Sequence, residues 1–184
     1  AADAAGLVPS AHSAALLRTI TYADVVMVTV AVPVATWPDR LVGMSGYLVP
    51  KPVQHLVTAV SFGSQKWQQW STPDSVILRI SLGREGLPTD HLDDDQILAA
   101  AIDDTGRHLG ITLAPTATRI TRWPRAFPQY RPHHHRLVAE ASTGLPPGIV
   151  LAGASYHGIG IPACIRSAHT AAALTVEHLL GVVE

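Results

Sequence analysis

Residues 149–168 read IVLAGASYHGIGIPACIRSA, and their spacing is the most chemically loaded in the chain. Gly158, Gly160 and Ala163 match G-x-G-x-x-G/A, the turn by which a strand hands over to a helix whose N-terminus receives a dinucleotide pyrophosphate. That turn does its work at the start of a βαβ unit, with an acidic residue closing the second strand. Here the sequence stops at Glu184 with no second strand, and Glu177 falls inside the helix, so a free-standing dinucleotide unit is not expected. What the residues retain is a buried strand over 149–153 and a glycine-rich loop leading to a helix N-terminus. Bare N–H groups and the helix dipole favour negative charge there, whether a carboxylate, a phosphate or the N1/C2=O edge of a reduced flavin. The same glycines also serve a plain strand-to-helix turn that needs positive φ.

Other residues invite chemistry and have plainer roles. His133, His134 and His135 suggest a metal, but no Cys or carboxylate stands at a suitable spacing, and adjacent histidines do not converge on one ion. Cys164 lies near a helix start, where a thiol pKa can fall; with no base beside it, it reads as a packing thiol. Asp93, Asp94 and Asp95 read as a helix cap and a solvated face. Trp67 and Trp70, with Lys66, either line an apolar cavity or close a sheet. Trp37 and Pro38 read as a turn.

Positioning these residues falls to a chain of 184 residues, 47% hydrophobic and 15% charged, which is enough to bury a core. A formal net charge of −1 gives no field that would draw nucleic acid. The single cysteine excludes an internal disulfide framework, and the longest apolar run, 25–34, is half of what a membrane-spanning helix needs. The N-terminus carries neither a signal-peptide pattern nor an initiator Met, so the chain is expected to begin partway through something longer.

Ser10 is placed to cap a helix from Ala11 to about Thr19. Strands are expected at 24–34, near-continuously apolar and so buried on both faces, and at 53–63, 75–83 and 116–124, antiparallel because the first connections are too short for crossovers. Between the third and fourth, LDDDQILAAAIDDTGRHLG (92–110) predicts a helix with Asp93 and Gln96 as a capping box and Leu98, Ala101, Ile102, Thr105 and Leu109 on one face. HHHRLVAEASTGLPPG (133–148) reads as a polar connection. The last helix opens near Pro162, stops at Gly181 and aligns Ile161, Ile165, Ala168, Ala172, Val176 and Leu179. The fold class is α+β: an antiparallel sheet with helices, plus a strand and helix of a Rossmann-like domain.

Four stretches in order resemble the FAD-dependent protoporphyrinogen and coproporphyrinogen oxidases, of the amine-oxidase-like flavoproteins. They are SGYLVP (45–50), FGSQKWQ (62–68), RWPRAFPQYRPHH (122–134) and LAGASYHGIGIPACIRSA (151–168). The resemblance covers nearly the whole chain and implies its C-terminal portion, with the dinucleotide fingerprint upstream. It implies a helix flanking the FAD domain over 1–20, a substrate-binding lobe over 21–130 and a return to the FAD domain over 131–184. Carried over, Gly153, Ala154 and Ser155 approach the ribityl and pyrophosphate part of FAD. Gly158, Ile159, Gly160 and Ile161 belong to the turn against the isoalloxazine, Trp123 packs near the flavin, and His134 matches the histidine after PQY. Ser45, Gly46 and Leu48 line the porphyrinogen cavity, with Ser81 near its wall. The implied reaction is oxidation of a porphyrinogen in heme biosynthesis, with O2 reduced to H2O2, in a cytoplasmic protein for which peripheral membrane contact is left open. No residue reads as a general base. Another amine-oxidase-like enzyme, or a non-catalytic module without the cofactor half, are the rival readings.

Overall fold

The computed structural model of the chain describes residues 1–181, so the end of the expected segment 131–184 lies outside the described residues. The chain forms two compact units, one from Ala23–Ala126 and the other from Ala1–Tyr22 with Phe127 onward.

The first unit is built on a five-stranded sheet whose strands are β1 (Tyr22–Pro33), β2 (Gly46–Leu48), β3 (Val57–Phe62), β4 (Ser75–Leu82) and β5 (Ala117–Pro128), in the order β2-β3-β4-β1-β5. β1 with β4, β2 with β3 and β3 with β4 are antiparallel, the expected sense. The expected double-sided burial of β1 is instead an alternation: Val26, Val28, Val30 and Val32 are buried, and the residues between them are partly exposed. β4 does the same with Val76, Leu78, Ile80 and Leu82. This is the period-2 pattern of a sheet with one covered face. A short helix α3 (Gly63–Lys66) follows β3, and α4 (Asp94–Leu109) contributes Ile97 and Ala101 to the same core.

α4 starts with the expected capping box, Asp93 accepting from the Gln96 N–H and Gln96 accepting from the Asp93 N–H. Of the expected face Ala101 and Thr105 are buried and Leu98, Ile102 and Leu109 pack against the core, and the buried face extends further to Ile97, Asp104 and Gly106. Gly106 is a packing residue rather than a weak point: a Cβ there would lie 2.8 Å from the Ile111 carbonyl oxygen. Trp37 is also more than a turn residue. It is 7% exposed and meets Phe62 edge to face at 5.0 Å, because its ring is the apolar surface available to close that end of the core.

The second unit holds α1 (Ala2–Ala5), α2 (Ala11–Arg18), α5 (His134–Thr143) and α6 (Ile161–Leu179). Ser10 caps α2 through the Ser13 N–H. α5 replaces the connection expected at 133–148. His134, Val138 and Ala141 recur at helical spacing and are buried, while the polar residues that make the segment look loop-like occupy its outer face. Leu17, Ile20, Val138, Ala141 and Tyr156 form this unit's small core. Residues 149–153 do not form the expected strand. They find no ladder partner among the described residues, and an unpaired extended segment is not a strand.

Candidate functional site

The loop 153–160 is fixed mainly by polar side chains. Tyr130 spans it: its hydroxyl donates to the Ala154 carbonyl at 2.7 Å and accepts from the Gly158 N–H at 2.7 Å. Beneath Tyr130, at 3.9 Å and nearly parallel, lies His134. The His134 Nε2 is 2.9 Å from the Ser155 carbonyl, which can only accept, so the proton sits on Nε2. The hydroxyls of Tyr22 and Ser155 share a 2.5 Å hydrogen bond, and the Gly153 N–H donates to Ser167 Oγ of α6 at 2.9 Å. Ser155 and Tyr156 are buried, and burial above all, with Tyr22 adding to it, raises the Tyr156 pKa.

The loop thus delivers α6 with an open end. Gly160 is its N-cap, no side chain caps it, and Pro162 lies in the first turn. A Cβ on Gly153 would meet nothing within 4 Å, and one on Gly160 only the Pro162 ring at 3.8 Å. Bare backbone therefore faces open space at both places, beside a dipole end that favours negative charge. Gly158 differs: φ is 125° and a Cβ would sit 2.8 Å from that of Ala163, so it is needed by the turn itself. Ile159 and Ile161 are exposed, which leaves apolar surface around the open end. Cys164, partly buried, has its sulfur 3.7 Å from the Gly158 and Ile159 carbonyls. Of the three histidines only His134 turns inward; His133 and His135 are exposed.

The residues expected on the substrate side lie together in the sheet unit. Register puts Leu48, Ala59, Ser81 and Met27 in one row across β2, β3, β4 and β1, and Gly46, Ser61, Arg79 and Thr29 in the next. Paired residues project to the same side, so both rows occupy the face opposite the core. Ser45 precedes β2 and lines, with Gly46, Leu48, Ser61 and Lys66, a cavity of about 470 Å³. Trp67 and Trp70 pack on each other at 4.9 Å, and Trp70 lies against Gly63, whose Cβ would be 2.6 Å from its ring. Trp123, on β5, is 57% exposed and lines an apolar cleft of about 230 Å³ with Val26, Thr89 and Pro124.

Behind the sheet, α4 is tied to β3 by the buried Asp104, which accepts from the Leu56 and Val57 N–H groups at 2.9 and 3.1 Å and from Arg107 at 2.6 Å. Burial alone would push this carboxyl up, but the two backbone donors and Arg107 outweigh it and hold it below its ordinary value. Burial foremost, with the Asp104 charge adding to it, pushes the Tyr47 phenol up to about 12. Tyr47 stays an un-ionised hydroxyl, 3.2 Å from His108 Nδ1. No local pattern singles out Asp104, since the backbone groups it binds, at Leu56 and Val57, lie some fifty positions away. Tyr130 and His134 stand in a motif the sequence singled out, but nothing local reveals that they brace a loop twenty residues later.

No established family profile matches the chain. It is 39% identical over 176 residues, 95% of its length, to the coproporphyrinogen III oxidase of Mycobacterium tuberculosis, and 27% identical over 141 residues to that of Bacillus subtilis. It spans 37% and 30% of those proteins. Among solved structures it superimposes with a TM-score of 0.74 and 27% identity, over 88% of this chain and 36% of the other, on an Exiguobacterium protein provisionally assigned as a protoporphyrinogen oxidase. Reduced UDP-galactopyranose mutase matches with a TM-score of 0.64 at 14% identity, over 92% of this chain and 36% of that one, a likeness of fold.

Proposed function

We propose, for a chain that belongs to the family of the coproporphyrinogen III oxidases as one portion of it, that it is the C-terminal part of an FAD-dependent porphyrinogen oxidase. The observation that carries the reading is the identity of 39% along nearly the whole chain. Coproporphyrinogen III is the substrate the curated relatives favour. Protoporphyrinogen IX is the second reading, favoured by the structural neighbour.

The open end of α6 fits a flavin: uncapped backbone at Gly160 and Ile161, open surface at Gly153 and Gly160, and an apolar rim from Ile159. FAD, when bound, would accept electrons from the porphyrinogen two at a time and pass them to O2, giving H2O2. The chain's own residues have simpler tasks. Gly153, Ala154 and Ser155 would hold the ribityl and pyrophosphate side through backbone, and Gly158 would bend the turn that leads to the ring. Ile159, Gly160 and Ile161 would present the helix dipole to negative charge on the ring, and Trp123 would supply apolar contact. Tyr130 and His134 keep the loop in that shape and exclude water from beneath it. Residues 21–130 would serve as the substrate lobe, with Ser45, Gly46, Leu48 and Ser81 along the porphyrinogen cavity. The N-terminal FAD-domain portion of the longer protein would cover the apolar face of α6.

These 184 residues alone would bind no FAD stoichiometrically, since no strand–GxGxxG–helix unit lies among them to hold its ADP end. The longer protein, loaded with FAD and given coproporphyrinogen III or protoporphyrinogen IX in air, is expected to produce fluorescent porphyrin with matching O2 uptake and H2O2. Porphyrin formation no faster than autoxidation with both substrates would refute the reading.

A further inference from the structure

The two rows that cross β2, β3, β4 and β1 on the face opposite the core carry one charged residue, near their centre. Arg79, in the middle of β4, is flanked across the strands by Ser61 on one side and Thr29 on the other. Its row continues to Gly46, and the next holds Leu48, Ala59, Ser81 and Met27. These side chains are mostly small, so the face is shallow enough to receive a broad, flat ligand.

Arg79 is half-buried and forms no ion pair among the described residues. Its guanidinium lies 5.6 Å from the centre of the Trp70 ring, and Trp70 is itself wedged against Gly63. Stacking of this kind orients the fork of N–H groups without using its hydrogen-bonding capacity. A partly desolvated guanidinium with unused donors is costly unless something satisfies it. Ser61, its direct neighbour, also lines the adjoining cavity, and there the exposed Lys66 lies 4.9 Å from the centre of the Trp67 ring. Lys66, on the lining of this cavity, and Arg79, beside its lining residue Ser61, are each backed by an indole.

We propose that Arg79 is a substrate-specificity residue that binds a propionate carboxylate of the porphyrinogen, with Lys66 of the adjoining cavity as a second cationic contact. The fork geometry of Arg79 matches a carboxylate in a bidentate pair, and the small residues around it admit the tetrapyrrole edge that carries the propionate. Ser61 and Thr29 supply hydroxyls beside the carboxylate. The proposal rests on the porphyrinogen reading above and adds to it the group on the substrate that this part of the chain selects.

The test compares coproporphyrin III with its methyl ester in the same detergent, using the flavin-loaded protein and its Arg79→Gln, Arg79→Lys and Lys66→Gln variants. Binding is followed by quenching of tryptophan emission, with thermal unfolding as a control for folding. Arg79→Gln is expected to weaken the free acid by about ten- to a hundredfold, the range for a charged hydrogen bond, and to leave the ester unchanged. Arg79→Lys should restore only part of the loss, since an ammonium keeps the charge but not the two-point fork, and the KM for coproporphyrinogen III should rise in Arg79→Gln with kcat little altered. Equal binding of the free acid by Arg79→Gln and the unaltered protein overturns the anchor and leaves the oxidase reading standing. Equal weakening of acid and ester overturns it too, since the side chain would then only shape the face. An unaltered protein that neither binds the acid nor oxidises the porphyrinogen brings down the oxidase reading and the anchor together.

Discussion

The two units solve the same packing problem in opposite ways. The sheet unit closes on itself: Val28, Val30, Leu78, Ile80 and Leu82 are within 1% of complete burial, and α4 and Trp37 seal what the strands leave open. The helical unit has a small core and a long helix that is hardly used. Of the nineteen residues of α6 only Ser167 is buried, while Ile161, Ile165, Leu174, Val176 and Leu179 are exposed. The apolar stripe read from the sequence is real, but within these residues it covers nothing. Stability in one unit comes from burial of its own apolar side chains; the other keeps its loop in place with hydroxyls and an imidazole. A region that leaves apolar surface open while fixing a backbone turn is suited to binding something, and a region that spends its apolar residues on a core is suited to carrying a surface.

The largest expected effect tests this contrast directly. In the 184-residue chain, Leu78→Ala should cost about 4 kcal/mol through lost burial and a cavity. Leu174→Ala in α6 should cost less than about 0.5 kcal/mol, as for a surface position. Urea unfolding of both variants, followed by tryptophan fluorescence and helical circular dichroism, measures the difference. Similar losses at the two positions would break the comparison.

An intermediate effect sharpens it within the sheet unit. Asp104→Ala removes the acceptor shared by the Leu56 and Val57 N–H groups and Arg107, and should cost about 3 kcal/mol. Because the folded carboxyl lies below its ordinary value, its contribution is complete above the unfolded pKa of about 3.9 and is lost as pH falls through the lower folded value. Melting temperature followed from neutral pH downward should therefore fall more steeply below about pH 4 in the unaltered protein than in Asp104→Ala. Parallel curves would show that Asp104 does not set acid sensitivity.

Legibility in the sequence followed the range of the interactions. The existence of β1 and β4, the Ser10 cap and the Asp93/Gln96 box are written within a few residues of one another and were readable, whereas the one-sided burial of β1 was not, because its run is apolar at nearly every position. Trp37 was not, because its place in the core depends on Phe62. The inward face of α4 was read too narrowly, since it also includes a carboxylate satisfied by the Leu56 and Val57 backbone, which no apolar period reveals. α5 was hidden by its polar outer face and by the glycine and prolines that follow it. The strand expected at 149–153 failed for the opposite reason. Its residues have the right composition, but strand formation requires a partner, and composition does not supply one.

The smallest expected effect on folding is the sharpest on function. Gly160 has φ −66° and ψ 148°, a backbone any residue adopts, and its Cβ would touch only the Pro162 ring at 3.8 Å. Gly160→Leu should therefore alter stability by less than about 0.5 kcal/mol, in contrast to Gly158→Leu, where positive φ and the Ala163 methyl oppose any side chain. If the open end of α6 receives the isoalloxazine, the leucine fills the space the ring needs, and the purified full-length protein should lose its flavin absorbance while its melting temperature without cofactor stays put. Gly158→Leu should lose both, because the loop itself cannot form. The pair separates a glycine kept for a ligand from a glycine kept for a turn. Normal flavin content in Gly160→Leu would return the whole segment to the plainer reading, in which its glycines do no more than bend the chain into α6.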